Sequence, residues 1–226
     1  MENKKIKKLQ IIALDGPAAS GKSTVAKRLA EKLNIHYVSS GVFYRAVTLK
    51  CLEKKISYKN EQQVEDLMST LQFSLKEGTV LINEEDMSIE LSSPKVNKNV
   101  SHYCKIPAIR GLVNVKLRSL AKKYSLIMDG RDIGTVVLPK ATNKIFLTAS
   151  VKARAERRFK ELRKKFPEQV FSASKIKREL IERDKLDSTR KEAPLRQAED
   201  SILVDNSNLD IDSTVEKISE IIERHK

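Results

Sequence analysis

Residues 16 to 24 read Gly16-Pro17-Ala18-Ala19-Ser20-Gly21-Lys22-Ser23-Thr24, which fits the spacing G-x-x-x-x-G-K-[ST] of a phosphate-binding loop. The flanking residues agree with that interpretation. Leu9 to Leu14 is typical of a short buried strand, and Val25, Leu29 and Leu33 follow at the spacing of one helix face. Gly and Ser also mark ordinary turns, but the full spacing between a strand and a helix favours the phosphate-binding loop.

Each part of this loop has a chemical role. Glycines let the backbone curl so that its N–H groups point inward, and the helix that follows adds its positive N-terminal end. Lys22 can then reach the β- and γ-phosphates of ATP, and the hydroxyl of Ser23 can ligate Mg²⁺. The sequence therefore predicts a site for ATP and Mg²⁺.

The composition indicates one domain of α/β size. The chain has 226 residues, of which 40% are hydrophobic, so that it can bury a sizeable core. Cys51 and Cys104 lie far apart and form no C-x-x-C pair, which favours a reducing cytoplasm. Lys4 to Lys8 resembles the basic start of a signal peptide, but Asp15 interrupts the apolar run, and we expect neither a targeting segment nor a membrane span.

The net charge of +14 indicates either a nucleic-acid partner or a site that gathers several phosphates. Residues 150–196 hold sixteen Lys and Arg against eight Asp and Glu. Aromatic residues make up only 5% of the chain, which is few for stacking on single-stranded nucleic acid. We therefore expect small phosphorylated ligands and no nucleic acid.

Strand and helix patterns alternate along the chain. Five apolar runs predict core strands, at residues 9–14, 34–38, 126–128, 144–147 and 201–205, and helical patterns separate them. This order predicts a five-stranded parallel sheet flanked by helices, with ligands outside the carboxyl ends of the strands. Residues 72–91 alternate between apolar and polar residues around Gly78, which predicts a small antiparallel insertion of three strands.

Three further stretches make the chain resemble the bacterial cytidylate kinases, which are nucleoside monophosphate kinases with a phosphate-binding loop. They are Ser40-Gly41-Val42-Phe43-Tyr44-Arg45-Ala46-Val47-Thr48, Asp129-Gly130-Arg131-Asp132-Ile133-Gly134-Thr135-Val136-Val137, and the segment from Arg183 through Asp187 and Arg190 to Leu195. The resemblance covers nearly the whole chain. Ser39 stands where family members usually carry Asp.

The resemblance implies ATP-dependent phosphorylation of CMP and dCMP to CDP and dCDP by a cytoplasmic monomer. Phosphoryl transfer needs mainly positioning and positive charge. The acceptor phosphate, with a second pKa of about 6, is a dianion at neutral pH, so that no general base is required.

The resemblance also implies the roles of individual residues. The acceptor phosphate would be bound by Arg45, Arg131 and Arg190. The pocket around it would be shaped by Ser40, Tyr44 and Gly130. Ser101, Arg110 and Asp132 would read the cytosine, and Arg183 and Asp187 would meet the ribose and phosphate. The predicted catalytic residues are Lys22, Arg131, Arg157 and Arg190, and ATP would bind to residues 16–24 and Arg158.

The expected division of the chain follows the same family. Residues 1–50, 101–152 and 181–226 would form the core, residues 51–100 the monophosphate-binding lobe, and residues 153–180 a lid containing Arg154, Arg157 and Arg158. These three arginines lie on a charged helix face, where solvated side chains are the ordinary state. Two alternatives stay open at this point: a kinase for another small acceptor, such as UMP, AMP or shikimate, and a basic RNA-binding ATPase.

Overall fold

The centre of the molecule is a five-stranded parallel sheet in the order β2-β5-β1-β6-β7. We describe a computed structural model over residues 9–76, 79–87 and 89–224. The core strands are β1 (Ile11–Asp15), β2 (His36–Ser39), β5 (Leu126–Gly130), β6 (Asn143–Thr148) and β7 (Ile202–Asp205). The predicted parallel sheet is confirmed. Lys4 to Lys8, Gly78 and His225 lie outside the described residues.

Helices cover both faces of this sheet. They are α1 (Lys22–Leu33), α2 (Ser40–Glu53), α3 (Glu61–Ser69), α4 (Pro94–Tyr103), α5 (Pro107–Ala121), α6 (Val151–Lys165), α7 (Ala173–Thr189) and α8 (Ile211–Arg224). Among the described residues, no helix combines the length and the apolar character that crossing a membrane requires.

Alternation along β1 builds two separate cores. Ile12 and Leu14 pack on the face that α1 and α8 cover, whereas Ala13, one residue out of phase, packs on the face of α2 and α5. This follows because successive side chains of a strand point to opposite faces. Burial on both faces explains why the core strands are almost continuously apolar.

The insertion contains two strands where the sequence predicts three. β3 (Phe73–Lys76) and β4 (Thr79–Ile82) form an antiparallel pair, and residues 90–92 form a 3₁₀ turn. In a strand, Ile89 and Leu91 would share one face. At the turn they point apart, because Leu91 is buried against Ile82 and Ala46 while Ile89 is 82% exposed. Two alternating residues are too short a pattern to distinguish these conformations, so the prediction of a third strand is wrong.

Helices α6 and α7 form an antiparallel pair beside the sheet, with a small core of their own. Ala155, Ile176 and Leu180 pack there around Ala18 of the phosphate-binding loop. Ser150 and Ser172 cap the two helix N-termini by accepting hydrogen bonds from backbone N–H groups. The helical patterns in the sequence predict ends near Leu162 and Asp187, and the helices run slightly further, to Lys165 and Thr189.

The carboxyl ends of β1, β2 and β5 meet at one edge of the sheet. Gly16 follows β1 with φ 149°, and a Cβ atom at this position would lie 2.0 Å from the carbonyl oxygen of Leu147. Gly130 ends β5, where a Cβ atom would lie 2.7 Å from Ser40 Oγ. Close packing thus demands glycine at two of the positions that bring these strand ends together.

Candidate active site

The phosphate-binding loop has its expected place between β1 and α1. Gly21, with φ 91°, precedes the first residue of the helix. The ammonium group of Lys22 lies inside the loop, 2.6 Å from the carbonyl oxygen of Pro17 and 3.2 Å from Ser20 Oγ. Lys22 is only 5% exposed, and burial together with the charge of Arg131 lowers its pKa well below the usual value. A buried cation at the N-terminus of a helix favours the binding of an anion.

Asp129 faces this loop, and its role was not predicted from the sequence. Its carboxylate accepts hydrogen bonds from Ser23 Oγ at 2.7 Å and from Tyr37 Oη at 3.2 Å. Its position near the carboxyl end of β5, beside β1, is a signal that was present in the sequence. Hydroxyl and carboxylate oxygens are the ligands that Mg²⁺ prefers, so Ser23 and Asp129 form a donor pair that suits this ion.

A cavity of about 370 Å³ extends from the loop across the edge of the sheet. Of the predicted site residues, those that line it are Ala18, Ala19, Ser20, Gly21, Lys22, Ser23, Thr24, Ser40, Tyr44, Arg45, Ser101, Arg110, Gly130, Arg131, Asp132, Arg158, Arg183, Asp187 and Arg190. Gly16, Pro17 and Arg157 lie outside its lining. Residues up to 172 positions apart in the chain, Ala18 and Arg190, thus share one cavity.

Several arginines crowd one end of the cavity. Arg131 Nε donates to Asp187 Oδ2 at 2.9 Å, and Arg190 Nη2 donates to Asp132 Oδ1 at 3.2 Å. Burial, reinforced by the charge of Arg183, lowers the pKa of Arg45 to about 10. Burial and the charge of Arg131 likewise lower the pKa of Arg183. Cations that disfavour each other's charge in this way are stabilised by an anion.

Two buried polar atoms in this region are left without a partner among the described residues, Arg183 Nε and Tyr44 Oη. Burial of an unpaired polar group costs about 1–3 kcal/mol. Both residues line the cavity, so that a bound molecule can satisfy them. Burial raises the pKa of Tyr44 far above its usual value, which keeps its hydroxyl a hydrogen-bond donor.

Arg110 and Asp132 form a buried ion pair beside Tyr44. Each side chain is 6% exposed, and the Arg110 guanidinium lies 5.5 Å from the centre of the Tyr44 ring. Burial raises the pKa of the Asp132 carboxyl, and the charges of Arg110 and Arg190 oppose that rise. Ser40 Oγ donates to the carbonyl oxygen of Asp129 at 2.8 Å and thereby joins α2 to β5 below this pair.

Residues 12–224 of this chain match the family model of the cytidylate kinases. The chain belongs to the cytidylate kinase family. It is 43% identical over 213 residues to the cytidylate kinase of Clostridium tetani, an alignment that covers 94% of this chain and 93% of that protein. It is 45% identical over 218 residues to the cytidylate kinase of Clostridium perfringens, with 96% and 99% covered. The family resemblance drawn from the sequence is confirmed.

The fold has solved counterparts outside the family. A shikimate kinase from Bacteroides thetaiotaomicron superposes with a TM-score of 0.51 and 13% sequence identity, covering 96% of this chain and 99% of that one. At that identity the likeness concerns the fold alone. It supports the predicted architecture of a parallel sheet with a phosphate-binding loop.

In this cytidylate kinase family member, the three predicted lid arginines of α6, Arg154, Arg157 and Arg158, do not form one solvated row. Arg154 is 4% exposed and donates to backbone oxygens of Ala18 and Ala149. Arg157 donates to the carbonyl oxygen and side chain of Asn206 at 2.5 and 3.0 Å. The solvated interpretation is therefore wrong for Arg154, because three elements surround its guanidinium.

Of the three, Arg158 alone lines the cavity. Its Nη1 pairs with Glu161 at 2.7 Å, one helical turn further along α6. Binding of ATP by Arg158 and catalysis by Arg157 stay predictions.

Asp15 connects the phosphate-binding loop to the segment after β5. Its carboxylate accepts hydrogen bonds from the N–H groups of Ile133 at 2.8 Å and Gly134 at 2.7 Å, where the backbone forms one turn of π-helix over Ile133–Val137. That turn begins directly after Asp132, so that Asp15 helps to set the position of the buried ion pair. Burial raises the pKa of Asp15 from 3.8 to about 6, although both N–H groups oppose the rise.

We expect a pH dependence of stability that Asp15→Asn removes. The folded protein binds the Asp15 proton more tightly than the unfolded chain, so the contribution of Asp15 to stability rises as the pH falls from 7 to 5. Over this interval the wild type should gain about 1.4 kcal/mol relative to Asp15→Asn, the value of one pKa unit. Urea unfolding of both proteins at pH 7 and 5 measures the difference, with Asp66→Asn on the surface of α3 as control. Unfolding free energies of wild type and Asp15→Asn that change in parallel would contradict the expectation.

Proposed function

We propose that this protein transfers the γ-phosphoryl group of ATP to CMP and dCMP, producing CDP and dCDP. The observation that carries the proposal is one cavity with the phosphate-binding loop at one end and the arginines 45, 131, 183 and 190 at the other. Two phosphate sites that share a cavity suit direct transfer between a donor and an acceptor. Membership of the cytidylate kinase family supports cytidylate as that acceptor.

The donor half of the site would hold the phosphates of ATP. The backbone N–H groups of the loop and the N-terminus of α1 would bind their oxygens, and Lys22 would turn from Pro17 towards the γ-phosphoryl group. Ser23 and Asp129 would hold Mg²⁺, directly or through water. When bound, this ion would neutralise charge on the phosphate oxygens.

The acceptor half would bind the nucleoside monophosphate. Arginine suits this task because its planar guanidinium matches phosphate oxygens in pairs. Asp187 would orient Arg131. Burial raises the pKa of Asp187, but the positive charges around it, those of Arg131 and Arg183 first, lower it overall, so that the carboxylate stays charged. The acceptor phosphate is itself the nucleophile and needs no deprotonation by the protein.

The nucleoside would lie between α2, α4 and α5. Arg110, Asp132 and Ser101 would recognise the cytosine edge, and Ser40, Tyr44 and Gly130 would shape the pocket. Asp187 and Arg183 would contact the ribose. The unpartnered Tyr44 Oη and Arg183 Nε support a polar ligand at this place.

Closure of the site would involve two moving parts. Residues 153–180 would act as the lid and residues 51–100 as the monophosphate-binding lobe. Lys165, at the end of α6, donates a hydrogen bond to Ser92 Oγ of that lobe, so that the two parts already touch. Closing over both substrates would exclude water and suppress hydrolysis of ATP. We further propose that the protein works as a monomer in the cytoplasm.

An acceptor panel tests this function. The protein is mixed with Mg²⁺, ATP and one of CMP, dCMP, UMP, AMP or shikimate, and ADP formation is followed. We expect turnover that depends on CMP or dCMP and is at least about 10-fold lower with UMP, the value of one good base contact. Turnover with AMP or shikimate alone would favour a different kinase, and hydrolysis that RNA stimulates without any monophosphate would contradict phosphoryl transfer altogether.

A further inference from the structure

A side-chain pair holds the backbone of Ala18, in the middle of the phosphate-binding loop, from both sides. The Ala18 N–H group donates to Asp184 Oδ1 at 3.2 Å, and the Ala18 carbonyl oxygen accepts from Arg154 Nη1 at 3.0 Å. The two side chains also bind each other, with Arg154 Nη1 2.6 Å from Asp184 Oδ2. Arg154 Nε is anchored in turn by the carbonyl oxygen of Ala149, 2.9 Å away. We call Arg154 and Asp184 the loop clamp.

The loop clamp lies largely away from solvent, so that water competes weakly for its contacts. The Arg154 side chain is 5% exposed and that of Asp184 is 22% exposed. Ala18 is itself buried, in the small core between α6 and α7. Hydrogen bonds to charged groups are stronger than neutral ones, and weak competition from water preserves that difference.

The loop clamp joins elements that carry the two halves of the site. Asp184 follows Arg183 directly on α7 and lies three residues before Asp187. Arg154 lies on α6, behind the carboxyl end of β6. A single pair therefore connects the phosphate-binding loop to the helix that carries part of the acceptor site, across 166 residues of sequence.

We propose that Arg154 and Asp184 are positioning residues for ATP: they hold the Ala18 backbone so that the loop is already shaped for phosphates before the nucleotide binds. This inference rests on the proposed ATP site. A loop that must be ordered at the moment of binding loses affinity, because the ordering costs conformational entropy. Arg154 thus acts through the backbone of the loop, in contrast to the ATP-facing lid role predicted from the sequence.

Substitutions of Asp184 test the proposal by equilibrium binding. Asp184→Ala removes both contacts of the carboxylate, whereas the amide oxygen of Asp184→Asn can still accept from the Ala18 N–H group. The dissociation constants of Mg·ATP and of CMP are measured separately by calorimetry, with kcat and KM for each substrate. We expect Asp184→Ala to weaken ATP binding about 10-fold, the typical scale of one lost charge-assisted hydrogen bond. We expect Asp184→Asn to lie between Asp184→Ala and the wild type, and CMP binding to stay within about 2-fold in both.

Two further proteins separate positioning from folding. Asp184→Ala leaves Arg154 buried without its partner, so the double variant Arg154→Met/Asp184→Ala removes both charges and should recover stability while keeping the ATP defect. Asp200→Ala is the matched control, because it removes the carboxylate that pairs at 2.7 Å with the buried Lys144 outside the cavity. It should lower the unfolding temperature without changing ATP affinity.

Two results would overturn the proposal. One is ATP affinity that stays unchanged in Asp184→Ala and in the double variant while the unfolding temperature falls, which would leave the clamp a merely structural pair. The other is CMP affinity that weakens as much as ATP affinity, which would assign the effect to Arg183 and Asp187. ATP binding is read without any acceptor, so failure of the proposed kinase reaction would show in the acceptor panel and leave this measurement intact.

Discussion

Replacement of Lys22 by alanine is expected to lower kcat for phosphorylation of CMP by at least about 100-fold, by analogy with the loss of one preorganised donor. Lys22 Nζ is buried within the phosphate-binding loop, 2.6 Å from the Pro17 carbonyl oxygen. Its charge therefore acts in an environment where water screens it little. Burial and the charge of Arg131 lower the pKa of Lys22 because they destabilise its ammonium form. A phosphate charge that approaches the ammonium group therefore stabilises it strongly. Charge that develops on the transferred group should thus be stabilised more than the ground state.

The measurement is the initial rate of ADP formation at saturating ATP and CMP for the wild type and Lys22→Ala. Thermal unfolding of both proteins establishes that the variant is folded. Lys27→Ala is the control, since Lys27 is exposed on the same helix and does not line the cavity. Near-normal turnover of folded Lys22→Ala would show that the loop does not participate in the chemistry.

The second large effect concerns Asp132, whose replacement by alanine should lower kcat/KM for CMP about 100-fold. Its carboxylate pairs with Arg110 and Arg190 inside the protein. Removing it leaves two buried cations without their partner, which costs about 3–5 kcal/mol of stability. Part of this cost should be seen as weaker contacts to the substrate, because the two arginines are no longer held in place. The sequence alone suggested a carboxylate facing the base, whereas the structure also makes it the group that orients two arginines.

Comparison of CMP with UMP separates these two contributions. Cytosine presents an amino donor where uracil presents an oxygen, so a carboxylate at that edge favours CMP and repels UMP. In Asp132→Ala, loss of that discrimination should lower the ratio of kcat/KM for CMP to kcat/KM for UMP by about 10-fold or more. The ratio is measured for wild type and Asp132→Ala at saturating ATP, with Asp132→Asn as the variant that keeps the shape of the side chain. If both acceptors lose the same factor, Asp132 positions Arg110 and Arg190 but does not read the base.

Local patterns in the sequence were sufficient to predict the architecture of the protein. The alternation of buried strands with helices predicted the parallel sheet, and the glycine and lysine spacing predicted the loop between β1 and α1. Such patterns succeed because each depends on neighbouring residues: a run of apolar side chains must be buried, and a loop at the carboxyl end of a parallel strand must open at one edge. The insertion shows the limit, since Ile89 and Leu91 are too few to define a strand.

The partners of the charged residues depended on the tertiary structure. The resemblance assigned Arg183 and Asp187 to the ribose and phosphate, and the structure adds that Asp187 binds Arg131, which follows a strand end 56 residues away. The resemblance also assigned Arg154 to the lid, and the structure adds that this arginine binds the Ala18 carbonyl oxygen and Asp184.

The sequence by itself thus determined the fold class and the phosphate-binding loop, because hydrophobic period and motif spacing are local properties. Its resemblance to the cytidylate kinases supplied the family and most of the other residues that line the cavity. Only the tertiary structure decided which charged side chains pair with each other and which groups the carboxylates of Asp15 and Asp129 bind. The physical reason is that ion pairing and desolvation depend on distances between elements far apart in the chain, which residue type alone does not encode.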